Sequence, residues 1–244
     1  MRHLVLERWS RGTSPVHRRD PRAKIIALLV FLVALATAHR ALPWLSVGLL
    51  LLLTAALLVA RLPVWSILAR AAWVLPFTLV FAFVCWAAGD PARGVSLVVK
   101  SYLSALAVLL IVATTPLPSL LWALEQARAP RFLLLVLQFL YRYLFVIVEE
   151  ARHMRAAAAA RGSAARQWLA GGVRFRAAGG ALAVLFARSY NRAGNIHQAM
   201  LARGFQGHFH AVEAAPFRPA DIVFALAAAL ATVAVRVAVE RLAS

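Results

Sequence analysis

Two copies of an Ala-Arg-Gly tripeptide are the residues whose type and repetition most clearly suggest a site. They are Ala160, Arg161, Gly162 and Ala202, Arg203, Gly204. A cation followed by glycine is typical of a helix C-terminus, because the macrodipole favours positive charge there and glycine accepts the left-handed conformation that ends a helix. A helix-capping role is therefore one interpretation of each copy. Because both copies close an amphipathic segment in the only long polar region, they also suggest two equivalent helix ends that bind two equivalent partners.

Apolar residues repeat at the same spacing before each arginine. They are Met154, Ala157 and Ala158 before the first, and Ile196, Ala199 and Met200 before the second. Positions three, four and seven residues apart lie on one face of a helix, so each arginine should stand at the C-terminal end of an apolar stripe. A third copy, Ala92–Gly94, follows Asp90 and Pro91, which predicts a turn with no helix before it. One such tripeptide alone therefore carries little information.

Catalytic chemistry has little support among the nine acidic residues. Glu149 and Glu150 are adjacent, so they point about 100° apart on a helix and cannot both face one site. We expect them to pair with Arg152 or His153, three to four residues on. Phosphate-binding glycine loops and hydrolase or metalloprotease motifs are absent from the sequence. We expect no enzyme activity.

One pair of histidines resembles metal ligands. His208 and His210 lie two residues apart, with no carboxylate or thiolate beside them. Transition-metal sites in proteins normally need three or four ligands, so this pair is a weak candidate. The sequence therefore predicts neither a bound metal nor a cofactor.

The composition indicates an integral membrane protein. Of the 244 residues, 63% are hydrophobic and 15% are charged, and the mean hydropathy of +0.76 is too high for a soluble domain of this size. The net charge of +18 could suggest nucleic acid. The basic residues flank apolar runs, however, so membrane topology explains them better.

The apolar runs predict an all-α polytopic fold with about five transmembrane helices. The expected spans are residues 23–38, 41–60, 72–88, 95–115 and 220–239. Seven lysines and arginines in the first 24 residues place the N-terminus in the cytoplasm by the positive-inside rule, and five spans then place the C-terminus outside. We expect Lys100 to snorkel to the outer interface.

Residues 116–218 differ from their flanks, because they hold 13 of the 27 basic residues. We predict three parts: 1–115 with four spans, 116–218 as a cytoplasmic region of long amphipathic helices, and 219–244 with the last span. Gln138 and Arg142 interrupt the apolar run 132–148, which should enter the bilayer only shallowly. If this run crosses, the span count and the later orientation change.

The chain resembles the transmembrane coupling subunit, or T component, of energy-coupling factor transporters, which are ABC-type importers of micronutrients. The matching residues extend over nearly the whole length. They are Asp20-Pro21-Arg22-Ala23-Lys24, Thr114-Thr115-Pro116, Tyr141-Arg142-Tyr143, Glu149-Glu150 and the two Ala-Arg-Gly ends. The run from Tyr141 to Phe145 is most similar to the cobalt branch, the CbiQ type. The first Ala-Arg-Gly copy departs from the family, because it follows five alanines where members usually carry more polar residues.

This resemblance implies a subunit of the inner (plasma) membrane that binds neither ATP nor substrate. The two charged helix ends would each enter one of two cytosolic ATPase subunits, where Arg161 and Arg203 would pair with an acidic group. The rest would hold a separate substrate-binding membrane protein, the S component. Nickel or a vitamin remains an alternative substrate.

Two other classes of protein remain as alternatives. A stand-alone secondary transporter should carry ionisable residues within its spans, and here only Lys100 and Arg236 qualify. A membrane enzyme should gather acids or histidines at one membrane face, but the acids of this chain are scattered.

Overall fold

The computed structural model describes residues 9–10, 12, 14–38, 42–161, 171–207 and 218–242. The described residues form helices and contain no strand, which confirms the predicted all-α fold. The helices are α1 (Pro21–Ala36), α2 (Leu42–Val59), α3 (Val64–Ala71), α4 (Leu75–Ala87), α5 (Pro91–Thr114), α6 (Leu117–Gln126), α7 (Arg131–Ala160), α8 (Gly171–Ala202) and α9 (Pro219–Leu242). A short 3₁₀ turn, Ala72–Val74, joins α3 to α4.

An Asp-Pro pair begins both α1 and α5. The carboxylate of Asp20 accepts a hydrogen bond from the Arg22 amide at 2.8 Å, and that of Asp90 accepts one from the Arg93 amide at 3.1 Å. Proline suits the first helical position because its fixed φ is already helical and it lacks an N–H that would need a partner. The third Ala-Arg-Gly copy therefore lies in the first turn of a helix and not in the predicted turn. It begins a helix and, unlike the other two copies, does not end one.

The helices divide into two compact units. The first comprises Met1–Ala123 with Glu213–Ser244, and the second comprises Leu124–Val212. Helix α6 begins in the first unit and ends in the second. In the first unit, leucines and alanines of α1, α2, α3 and α5 form the core. Its fully buried large side chains include Leu35, Leu49, Leu57, Ile67, Leu103 and Leu106.

Glycine allows α4 and α5 to pack closely. A Cβ added at Gly94 would lie 2.9 Å from the backbone oxygen of Ala82, a distance that real Cβ atoms essentially never show. Gly94 is buried in the first turn of α5. The glycine of the third tripeptide therefore serves helix packing.

Four helical segments among the described residues are long and apolar enough to cross a membrane. They are Val64–Ala87, Pro91–Thr114, Arg131–Ala160 and Pro219–Val239, and a shorter apolar helix covers Trp44–Val59. The predicted spans 72–88, 95–115 and 220–239 fall in these segments. The run 132–148, predicted to enter the bilayer only shallowly, is part of one 30-residue helix. This helix is long and apolar enough to cross a membrane, because Gln138 and Arg142 are isolated in a mostly apolar sequence.

Helix α1 has only 16 residues, so it is about 24 Å long at 1.5 Å per residue. Two cations satisfy the backbone carbonyls at its C-terminal end. Lys100 donates to the Ala36 and Ala38 oxygens at 3.1 and 2.7 Å, and Arg236 donates to the side chain and backbone of Thr37. These terminal carbonyls lack helical partners, so they accept hydrogen bonds from Lys100. That Lys100 snorkels to the outer interface stays a prediction.

Candidate functional site

The second tripeptide ends α8 in a Schellman motif. Gly204 has φ +76°, its amide donates to the Leu201 oxygen at 2.9 Å, and the Phe205 amide donates to the Met200 oxygen at 3.0 Å. These two bonds satisfy carbonyls that the helix leaves without partners, and they require a left-handed residue after Arg203. The chain therefore turns away directly after the arginine, as the sequence predicts.

The first tripeptide also ends a helix. Helix α7 finishes at Ala160, and Arg161 is its C-cap with φ −83°. The Arg161 amide donates to the Ala157 oxygen at 3.2 Å. Gly162 lies outside the described residues. The predicted ends of both helices are thus confirmed.

A salt bridge joins α7 to α8. Glu150 accepts a hydrogen bond from the guanidinium of Arg188, 38 residues further along the chain. Its neighbour Glu149 pairs within α7, with Arg152 at 3.3 Å and His153 at 3.4 Å. The expectation of local pairing is correct for Glu149 and wrong for Glu150, because a helical periodicity rule cannot detect a partner on another helix.

A cavity of about 610 Å³ lies between α7 and the end of α8. Four predicted site residues line it, namely Ile196, Met200, Arg203 and Gly204. The remaining lining residues are Phe139, Arg142, Tyr143, Ala199, Phe205 and Gln206. The apolar residues predicted to precede Arg203 on one helix face therefore line the same cavity as Arg203.

The contribution of α7 to this cavity was missed at the sequence level. Arg142 and Tyr143 were noted as a family motif, but the sequence offered no reason to place them beside Arg203. The guanidinium of Arg142 lies 6.0 Å from the centroid of the Tyr143 ring, at the outer limit of a cation–π contact. The available signal in the sequence was Arg142 itself, a cation that interrupts an apolar run.

The environment of the first helix end is different. Met154 is half-buried, but residues 155–161 are all exposed, including Ala160 and Arg161. Ala202, the last residue of α8, is also exposed. Of the two ends, only that of α8 adjoins the described cavity.

Helices α7 and α8 run in opposite directions where they meet. Residues around 139–143 of α7 adjoin 196–206 of α8, whereas Glu150 pairs with Arg188. Arg161 lies eleven residues beyond Glu150, and Arg203 lies fifteen beyond Arg188. At 1.5 Å per residue, the arginines stand about 16 and 22 Å from the salt bridge, on opposite sides of it. The two helix ends therefore point away from each other.

A buried polar cluster in the first unit joins two further family motifs. Lys24, which is 3% exposed, donates to the Thr114 backbone oxygen at 2.9 Å and to the Thr115 hydroxyl at 3.0 Å. The Asp20 amide donates to the Asp221 carboxylate at 3.2 Å. The cluster thus connects the start of α1 with the end of α5 and the start of α9. Both motifs are visible in the sequence, but their spacing of 90 residues does not predict that they touch, and no local pattern indicates Asp221.

Metal-binding chemistry finds no further support in the part of the chain that is described. No group of three or more His, Cys, Asp or Glu side chains comes together there. His208 and His210 lie outside it.

Long apolar helices without strands define the class of protein as an all-α polytopic membrane protein. The chain belongs to the CbiQ family, whose model, described as cobalt transport protein, matches residues 12–213. It is 30% identical over 128 residues to the cobalt transport protein CbiQ of Rhodobacter capsulatus, a match that covers 52% of this chain and 50% of that protein.

Two longer matches cover most of the chain. The transmembrane protein EcfT of an energy-coupling factor transporter from Bacillus selenitireducens is 28% identical, over 84% of each chain. EcfT of Bacillus subtilis is 27% identical, over 85% of this chain and 86% of its own length. The resemblance to the T component of energy-coupling factor transporters is thus confirmed, and the protein is a membrane component of a transport system.

Proposed function

We propose that this chain is the coupling subunit of an energy-coupling factor ABC importer that takes up cobalt. It binds two cytosolic ATPase subunits through the ends of α7 and α8, and it holds a separate substrate-binding membrane subunit, the S component. It transmits the ATP-driven motion of the ATPases and has no catalytic activity of its own. It lies in the cell inner (plasma) membrane with its N-terminus in the cytoplasm, and residues 116–218 form the coupling region.

The arrangement of α7 and α8 carries this proposal. Two long helices end at the same residue pair, Ala-Arg, and the Glu150–Arg188 salt bridge joins them between these ends, which point apart. Separated, equivalent ends suit two copies of a partner better than one. The proposed ATPase-binding residues are Met154, Ala160, Arg161 and Gly162 at the first end, and Ile196, Met200, Ala202, Arg203 and Gly204 at the second.

Arginine suits such a contact for a physical reason. Its guanidinium binds a carboxylate through two parallel hydrogen bonds and keeps its charge when it is partly desolvated. Arg161 and Arg203 are both exposed in the isolated chain, so each is accessible to an acidic group of an ATPase subunit. Removing one partner of a buried, hydrogen-bonded charge pair typically costs about 2–5 kcal/mol, and each arginine should therefore be a hot spot.

Cobalt is favoured as the substrate by the comparisons. The matching family is described as cobalt transport protein, and the Rhodobacter relative carries the same name. Uptake of radioactive cobalt by cells that express the complete transporter tests this assignment, with nickel as the competing ion. Cobalt uptake that nickel does not suppress at equal concentration supports the proposal, and uptake of nickel alone contradicts it.

Capture of the cognate ATPase in detergent tests the coupling role. Arg161→Glu and Arg203→Glu should each weaken capture at least tenfold, since each places an acid where a carboxylate binds. The double variant should abolish capture. Arg93→Glu is the matched control, because it changes the same tripeptide at the start of α5, where the macrodipole favours an acid.

Two results would contradict the coupling role. If the wild-type protein captures no ATPase, the proposed partner is wrong. If all variants capture as much ATPase as the wild type, the two tripeptides serve only as helix caps.

A further inference from the structure

The two helix ends are alike in sequence but differ in their surroundings. Around Arg161, the preceding residues 156–160 are exposed alanines, which present only methyl groups. Around Arg203, the cavity adds a second arginine, Arg142, from the neighbouring helix. The end of α8 is therefore a two-helix surface.

The lining of this cavity has one sign of charge. Arg142 and Arg203 are its two cations, and no acidic residue is among the residues that line it. Both arginines are exposed. An occupant that brings a carboxylate would meet two guanidinium groups, each able to form charge-assisted hydrogen bonds.

The rest of the lining is largely apolar. Phe139, Ile196, Met200 and Phe205 are all half-buried, so they present apolar surface beside the two cations. A segment that inserts into the cavity can bury this surface. The charge and polarity of the cavity therefore match an acidic side chain flanked by apolar residues.

We propose that Arg142 and Arg203 together bind one carboxylate of an ATPase subunit, carried on an apolar segment that fills the cavity. This inference rests on the proposed function and adds Arg142 of α7 to the binding site at the end of α8. Binding at this end therefore requires both helices to be in place.

The test isolates the α8 end by placing every variant in an Arg161→Glu background. The affinity of each detergent-solubilised variant for the purified, nucleotide-free ATPase subunit is measured by biolayer interferometry. Arg142→Gln should weaken binding about tenfold to hundredfold, less than the loss of a sole charge partner, because Arg203 still binds the carboxylate. Arg142→Lys keeps the charge but loses the planar fork, so it should restore part of the affinity.

Arg152→Gln is the matched control. Arg152 also lies on α7, but it pairs with Glu149 and does not line the cavity, so its loss should leave the affinity unchanged. The double variant of Arg142→Gln with Arg203→Gln should lose less affinity than the product of the two single effects, because both side chains bind one group.

The outcomes separate this inference from the proposed function. If Arg203→Gln weakens binding and Arg142→Gln does not, the coupling role stands and the two-arginine site is wrong. An Arg152→Gln effect as large as that of Arg142→Gln also overturns the inference, since it assigns the loss to α7 charge in general. Wild-type protein that binds no ATPase overturns both.

Discussion

Lys24→Met should measurably destabilise the first unit. The substitution keeps an unbranched side chain of similar length and removes the ammonium group. In the native structure this group donates to the backbone oxygen of Thr114 and to the hydroxyl of Thr115. Lys24 is 3% exposed and Thr114 is 1% exposed, so water cannot readily replace the lost donor.

The magnitude follows from what remains buried. A buried carbonyl left without a donor costs about 1–3 kcal/mol. Asp20 and Asp221 are buried and interact electrostatically with the Lys24 ammonium, so they lose a neighbouring positive charge. Methionine offsets part of this loss, because its uncharged side chain can be buried without the free-energy cost of desolvating a charge. We expect the free energy of unfolding to fall by about 2–4 kcal/mol.

The assay is reversible unfolding in dodecyl maltoside–SDS mixed micelles, followed by circular dichroism at 222 nm. Thr115→Val is the matched variant, since it removes one hydroxyl from the same cluster and keeps the shape. It should cost about 0.6 kcal/mol, the average for a side-chain hydrogen bond in a helical membrane protein. Lys24→Met protein that is as stable as the wild type, or more stable, would refute the reasoning.

Two further predictions concern glycines. Gly204→Ala should lower the free energy of unfolding by about 1 kcal/mol, because φ is +76° there. Gly180→Ala, in the middle of the same helix and with open space around a new Cβ, should raise it by about 0.5–1 kcal/mol. Chemical denaturation compares the two, and changes of equal sign would contradict this account. Gly94→Val should cost about 1–3 kcal/mol in the same assay, because the new side chain collides with the Ala82 backbone. If the Gly94→Val variant unfolds at the same denaturant concentration as the wild type, α4 and α5 move apart without cost and this prediction is wrong.

Local rules predicted the local features of the site well. The helix ends at Ala160 and Ala202 followed from a cation, a glycine and a repeated apolar spacing, all within nine residues. The same rules misjudged Arg93, because Asp90 and Pro91 begin a helix as readily as they form a turn. Ala-Arg-Gly can therefore lie at the start or at the end of a helix, and the residues before it determine which.

Contacts between distant segments could not be predicted in this way. Glu150 has acceptable partners within its own helix, so nothing in the local sequence favours Arg188. Lys24 and Thr114 are 90 residues apart, and a lysine in the first turn of an apolar helix ordinarily extends to water. These contacts depend on how the helices pack, which the periodicity of one helix does not contain.

Composition alone predicted an all-α polytopic membrane protein. The hydropathy of residues 220–239 placed the core of α9 without reference to its neighbours. Gln138 and Arg142 interrupt the apolar run of α7, but the mean hydropathy of a long helix tolerates isolated polar residues, so the shallow entry of 132–148 stays a prediction. Arg142 adds a positive charge to the α7–α8 cavity. The sequence of α7 alone does not predict this, because residues of α8 form the other side of the cavity.

The antiparallel pair α7 and α8 has a mechanical consequence. The Glu150–Arg188 salt bridge joins the two helices at a point between Arg161 and Arg203, which end unequal arms about 16 and 22 Å long. If the pair moves as one body, forces of opposite direction that act across the helix axes at the two ends add up to a torque about the contact between the helices. The longer arm then moves its end farther for the same angle of rotation. Opposed sideways movements of the two ends would therefore rotate the pair.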